Sequence, residues 1–136
     1  MFKKTIPSVL MLSSVMLSGC VTTDTPDLPE IGVDCKWDAN SQCVYLSPEI
    51  ALIGVPNQTK NLQFRLDDLD RPMNDHGGGT IAYTASNTIA KGAVKGIRGP
   101  CPPLREPHKY KLYVVATDEN ENKIAAGSGI ARCCSE

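Results

Sequence analysis

The sequence has no excess of either charge: 14 basic and 15 acidic residues give a net charge of −1. They are interspersed, and without a basic stripe nucleic acid is excluded as a partner. Beyond residue 17 there is no second long apolar run, which excludes a bilayer-spanning helix in the body of the chain. No stretch carries helical periodicity for more than two turns. There are no C-x-x-C pairs and no closely spaced histidine pair, so a zinc knuckle is disfavoured for the cysteines. A glycine run, Gly77-Gly78-Gly79, lacks the spacing and lysine of a phosphate loop, although its amides could form an anion-binding nest.

What is present begins with a leader. Lys3 and Lys4 precede an apolar run over residues 6–17, and Leu17-Ser18-Gly19-Cys20 follows. This resembles the lipobox of bacterial lipoproteins. The resemblance implies removal of residues 1–19 and a lipid, palmitate included, on Cys20. It also implies attachment to the cell envelope, with Val21 in place of aspartate pointing to the outer membrane on its periplasmic side. An ordinary secretory signal with an incidental Cys20 is the rival. Residues 20–34, with Pro26, Pro29 and few apolar side chains, read as a tether. About 116 of the 136 residues then remain, enough for one domain with a modest core, expected over residues 35–136. Export to an oxidising compartment makes Cys35, Cys43, Cys101, Cys133 and Cys134 disulfide candidates. Two bridges and one free or intermolecularly paired thiol is the simplest partition, with one bridge tying the Cys35/Cys43 region to residues 99–103 or to the C-terminal pair. Spacing leaves the connectivity open.

The domain reads as strands and stiff loops. Leu62, Phe64 and Leu66 alternate with polar residues, as do Tyr110, Leu112, Val114 and Ala116 with Lys109, Lys111, Tyr113 and Val115; each is the pattern of a half-buried strand. Residues 80–84 predict a short strand, residues 87–96 a loop, and residues 123–130 a return strand. That last strand is rich in small side chains and is expected at an edge or against a loop. Trp37 reads as a packing residue. Gly99-Pro100-Cys101-Pro102-Pro103 cannot be helix or central strand, because proline fixes φ and removes a donor. It is a rigid loop leading into the strand that carries His108 and Tyr110. The other chemically rich stretch is the acidic turn Asp67-Asp68-Leu69-Asp70-Arg71-Pro72, where a carboxylate either caps backbone amides or meets a ligand. The fold class is all-β or mostly β.

Ser47-Pro48-Glu49-Ile50, Gly54-Val55-Pro56-Asn57, Asp68-Leu69-Asp70-Arg71-Pro72, Gly99-Pro100-Cys101-Pro102-Pro103 and His108-Lys109-Tyr110 occur in order. Together they resemble the phosphatidylethanolamine-binding protein (PEBP, or Raf kinase inhibitor-like) family. The resemblance implies an antiparallel β-sandwich, here without the family's longer C-terminal segment. It also implies a pocket for a phosphate- or phosphoethanolamine-like anion, formed by Asp68, Asp70, Pro72, His76, Pro102, Pro103, His108 and Tyr110. No cofactor, metal or enzymatic reaction is implied. The partners implied are the membrane, through lipid on Cys20, a small anion or phospholipid head group, and an envelope protein. Leu69 stands where the family has proline and Lys109 where it has arginine. Whether His76 aligns with the family's missing H-W histidine is left open. The alternatives are a structural or inhibitory interaction module with no functional pocket, a hydrolase using Cys101 with His108 or a serine or Asp/His pair, and a metal site of Asp68, Asp70, His76 and His108.

Overall fold

The computed structural model describes residues 27–38, 42–103 and 105–133. The expected leader, Cys20 and Cys134 lie outside the described residues, as does the side chain of Cys133. Among the described residues seven strands form one curled, mixed sheet: β1 (Glu30–Lys36), β2 (Glu49–Ile53), β3 (Asn61–Asp68), β4 (Asp75–Ala82), β5 (Thr88–Ile89), β6 (His108–Thr117) and β7 (Lys123–Cys133). Their order is β4-β3-β6-β7-β1-β2-β5. No helix occurs among the described residues, so none is present there that could cross a membrane.

Period-2 patterning places the core. Along β3, Leu62, Phe64, Leu66 and Asp68 are buried in turn, and along β6 His108, Tyr110, Leu112, Val114 and Ala116 are. The two strands pair antiparallel, with Leu62 opposite Ala116 and Asp68 opposite Tyr110. Each apolar row therefore ends in polar residues at the same end of the strand pair. Ile31, Ile50, Leu52 and Ile89 join these rows in one cluster, so strands from both ends of the sheet order share a core. Burial of such aliphatic side chains contributes on the order of 1.5–3 kcal/mol each.

Three expectations are corrected. The stretch taken as tether through residue 34 contains most of β1, because Ile31 supplies an apolar side chain that the fold buries. Thr88 and Ile89, inside the expected loop, form β5 against Ile50 and Ala51. Strand β7 is internal, between β6 and β1, and its pairing with β1 is parallel where an antiparallel sheet was expected. Its small residues serve close packing. A Cβ on Gly127 would collide with the Ile31 carbonyl oxygen and one on Gly129 with that of Val33.

Candidate functional site

Asp68 ends the buried row of β3 and is 1% exposed. An isolated carboxylate there would carry a large desolvation cost, and the chain offsets it with several donors. Asp68 Oδ1 accepts the backbone N–H groups of Asp70 at 2.9 Å and Arg71 at 3.0 Å. Oδ2 accepts Nδ1–H of His108 at 2.8 Å. Burial alone would push the acid up, but the His108 hydrogen bond and the two amides outweigh it and hold the carboxyl below its ordinary range. The turn after β3 thus caps its own amides and positions an imidazole with a single side chain.

His76 arrives from β4, 2% exposed, with Nε2 4.0 Å from Asp68 Oδ2. Its Nδ1 lies 3.1 Å from the carbonyl oxygen of Arg98; a carbonyl only accepts, so Nδ1 carries the hydrogen. The Arg98 N–H in turn donates to the His76 carbonyl at 2.9 Å. The glycine run explains how residues 94–98 come so close. A Cβ on Gly77 would meet the carbonyl oxygen of Gly96, and one on Gly79 that of Lys95. The run is thus a docking surface for this segment and lies within β4.

Tyr110 completes the group. Its ring meets His76 edge-on at 5.2 Å and lies tilted against His108 at 6.3 Å. The side chain is wholly buried, and its hydroxyl has no hydrogen-bond partner among the described residues. Burial, then the charge of Asp68, pushes the phenol up to about 12. Asp68 and the Cys101 main chain lie close enough to influence its ionisation, yet neither is a hydrogen-bond partner of the hydroxyl. An orphaned buried hydroxyl costs roughly 1–3 kcal/mol, and such groups in native proteins call for an explanation.

The loop of residues 99–103 is fastened to the 43–44 segment. Cys43 and Cys101 are disulfide-bonded with Cα atoms 4.6 Å apart. Cys43 N–H donates to the Pro100 carbonyl at 2.9 Å and Gly99 N–H to that of Val44 at 2.7 Å. This bridge is one of those the sequence left open. It lies outside the direct 2.8 Å contact between His108 and Asp68. Cys101 is consequently no thiol nucleophile. Cys35, a disulfide candidate, is a buried free thiol, pushed up to about 11 by burial and then by Asp34.

Of the predicted site residues, Asp68, His76, His108 and Tyr110 converge. Asp70 does not join them: it is exposed, and its Oδ2 accepts the Lys109 N–H at 2.6 Å, locking the turn to β6. Pro72 is exposed and lines, with Arg65, Asp68, Leu69, Met73 and Asp75 among others, a cleft of about 440 Å³. Pro102 and Pro103 are half-buried beside Cys101. The Arg98 carbonyl, which fixes the His76 tautomer, carried no sequence signal because any residue could supply it. Among the described residues no group of three or more His, Cys, Asp or Glu side chains is arranged to hold a metal ion. Asp70 stands apart from Asp68, His76 and His108, so the four side chains do not converge.

Two solved structures share this architecture. YbcL of Escherichia coli, described as a member of the mammalian PEBP family, superposes with a TM-score of 0.58 at 18% identity, over 78% of this chain and 99% of its own. A phosphatidylethanolamine-binding protein homologue of Chlamydia trachomatis gives 0.60 at 16% identity, over 82% of this chain and all of its own. No family model and no curated protein sequence matches the chain. The fold is that of the PEBP family, as the ordered motifs implied.

Proposed function

We propose that this chain is a non-enzymatic anion-binding module of the cell envelope, held to the membrane through lipid on Cys20 and facing the periplasm from the outer membrane. Its ligand is a small oxyanion of the phosphate or phosphoethanolamine type. The observation that carries this reading is the wholly buried Tyr110 hydroxyl, without a partner among the described residues, beside two imidazoles that converge on Asp68. A phenol and an imidazole are donors suited to an anion, and the disulfide-fastened loop supplies a stiff wall. The PEBP fold of the two structural neighbours supports the same reading.

The second reading, a protein-interaction module whose Asp68 cluster only braces the fold, is favoured by the burial of Asp68, His76 and Tyr110, which are 1%, 2% and 0% exposed. Titration of the protein with sodium phosphate, followed by the imidazole resonances of His76 and His108, separates the two. Saturable shifts confined to these rings and to residues 98–103 are expected. Unmoved rings at millimolar phosphate leave the bracing role.

A further inference from the structure

The Tyr110 hydroxyl, without a partner among the described residues, is also closed off from solvent, so whatever is to meet it must first be let in. Asp68, His76, His108 and the Cys101 main chain stand about this side chain. The first three belong to β3, β4 and β6 and withdraw only if strand pairing breaks. Of these groups Cys101 alone lies on a loop. Residues 99–101 are tied to the 43–44 segment by the Cys43–Cys101 disulfide and by the hydrogen bonds of Cys43 N–H to Pro100 and Gly99 N–H to Val44. Arg98, just before them, is bonded to His76 in both directions and stays with β4. The loop thus has a fixed end at Arg98 and a covalent clasp at Cys101. Cys43 is exposed, and its φ of 56° lies in the left-handed region that side chains other than glycine adopt only at an energetic cost. A disulfide open to solvent is the labile kind.

We infer that the Cys43–Cys101 bridge is a redox latch on the Tyr110 hydroxyl: oxidised, it holds residues 99–101 over the hydroxyl, and reduced, it lets them withdraw and admits water or a ligand. The reductant is a dithiol. Its thiolate attacks the sulfur of the exposed Cys43, and Cys101 leaves as a thiolate and takes up a proton. The reductant's second thiol then closes on its first and releases Cys43, so two electrons and two protons pass to the bridge and the reductant ends as a disulfide. For any ligand the latch rests on the anion-binding reading above; the opening itself needs none.

In a mixture of light and heavy water, a slowly exchanging tyrosine hydroxyl splits its ring Cζ resonance into two lines, and a rapidly exchanging one gives a single averaged line. Tyr110 is expected to show two lines in the oxidised protein and one after dithiothreitol, with Cys43 and Cys101 newly open to alkylation and amide protection at Leu112 and Val114 unchanged. Sodium phosphate should then bind roughly fivefold more tightly or better, because the loop no longer has to be displaced. Cys43→Ser combined with Cys101→Ser should show the single line without reductant; if that variant does not fold, the dithiothreitol experiment decides. A bridge that dithiothreitol leaves intact, or two lines that persist once both cysteines are alkylated, would overturn the latch. Loss of protection at Leu112 and Val114 would overturn it too, by making the bridge a tie of the whole fold. Equal phosphate affinity in both states would overturn its control of access. The change from two lines to one, with no phosphate binding in either state, would uphold the latch and overturn the anion site.

Discussion

His108 Nδ1 and Asp68 Oδ2 lie 2.8 Å apart, on adjacent antiparallel strands, with the carboxylate 1% exposed. Asp68→Asn preserves shape but replaces an ionised acceptor, so the His108 N–H and the turn amides are left poorly matched. A loss of roughly 1–3 kcal/mol is expected in urea unfolding at neutral pH.

The same carboxyl sets the acid limb of stability. Its pKa is depressed on folding, so the unfolded chain binds more protons in this range. Its contribution is complete well above the ordinary carboxylate value of about 3.9 and is lost as pH falls through the lower native value. Chemical denaturation between about pH 6 and 3 should show a steeper decline for the parent than for Asp68→Asn. Parallel curves would mean that Asp68 is not held down by folding.

The Cys43–Cys101 bridge spans 58 positions. Replacing both cysteines with serine is expected to cost about 2–4 kcal/mol. Amide exchange at residues 98–101 should rise with it, because the 99–103 loop loses its covalent tie to the 43–44 segment. Unchanged exchange would show that the two backbone hydrogen bonds suffice.

Gly127→Ala tests the parallel crossing of β1 over β7. The added methyl group falls inside contact distance of the Ile31 carbonyl oxygen, and a backbone atom gives way less readily than a flexible side chain. Destabilisation of about 1–3 kcal/mol or more is expected by thermal unfolding.

Cys35 should resist alkylation. Its thiol is buried and pushed up to about 11, so the reactive thiolate is scarce at pH 8. Peptide mapping after iodoacetamide should find Cys35 unmodified in native protein and modified in urea.

The two central strands were legible because period 2 is a local property: Leu62, Phe64 and Leu66, like Tyr110, Leu112, Val114 and Ala116, declare one buried face by spacing alone. The same period carries Asp68 and His108 into the interior as the last members of those rows. The ordered motifs pointed to the PEBP fold, and the neighbours share it. Other features depend on partners distant in sequence. Small residues in β7 fit an edge as well as a crossing, and only the passage of β1 over Gly127 and Gly129 makes the strand internal. Three glycines fit a nest as well as a docking surface, and only residues 94–97 decide. Two aspartates in one turn look alike; strand alternation and the reach to Lys109 send Asp68 inward and leave Asp70 at the surface. Local spacing determined which residues face the core and which loop is stiff. Tertiary structure decided which of the polar residues meet, because a buried carboxylate is stable only where donors from β6 and its own turn surround it.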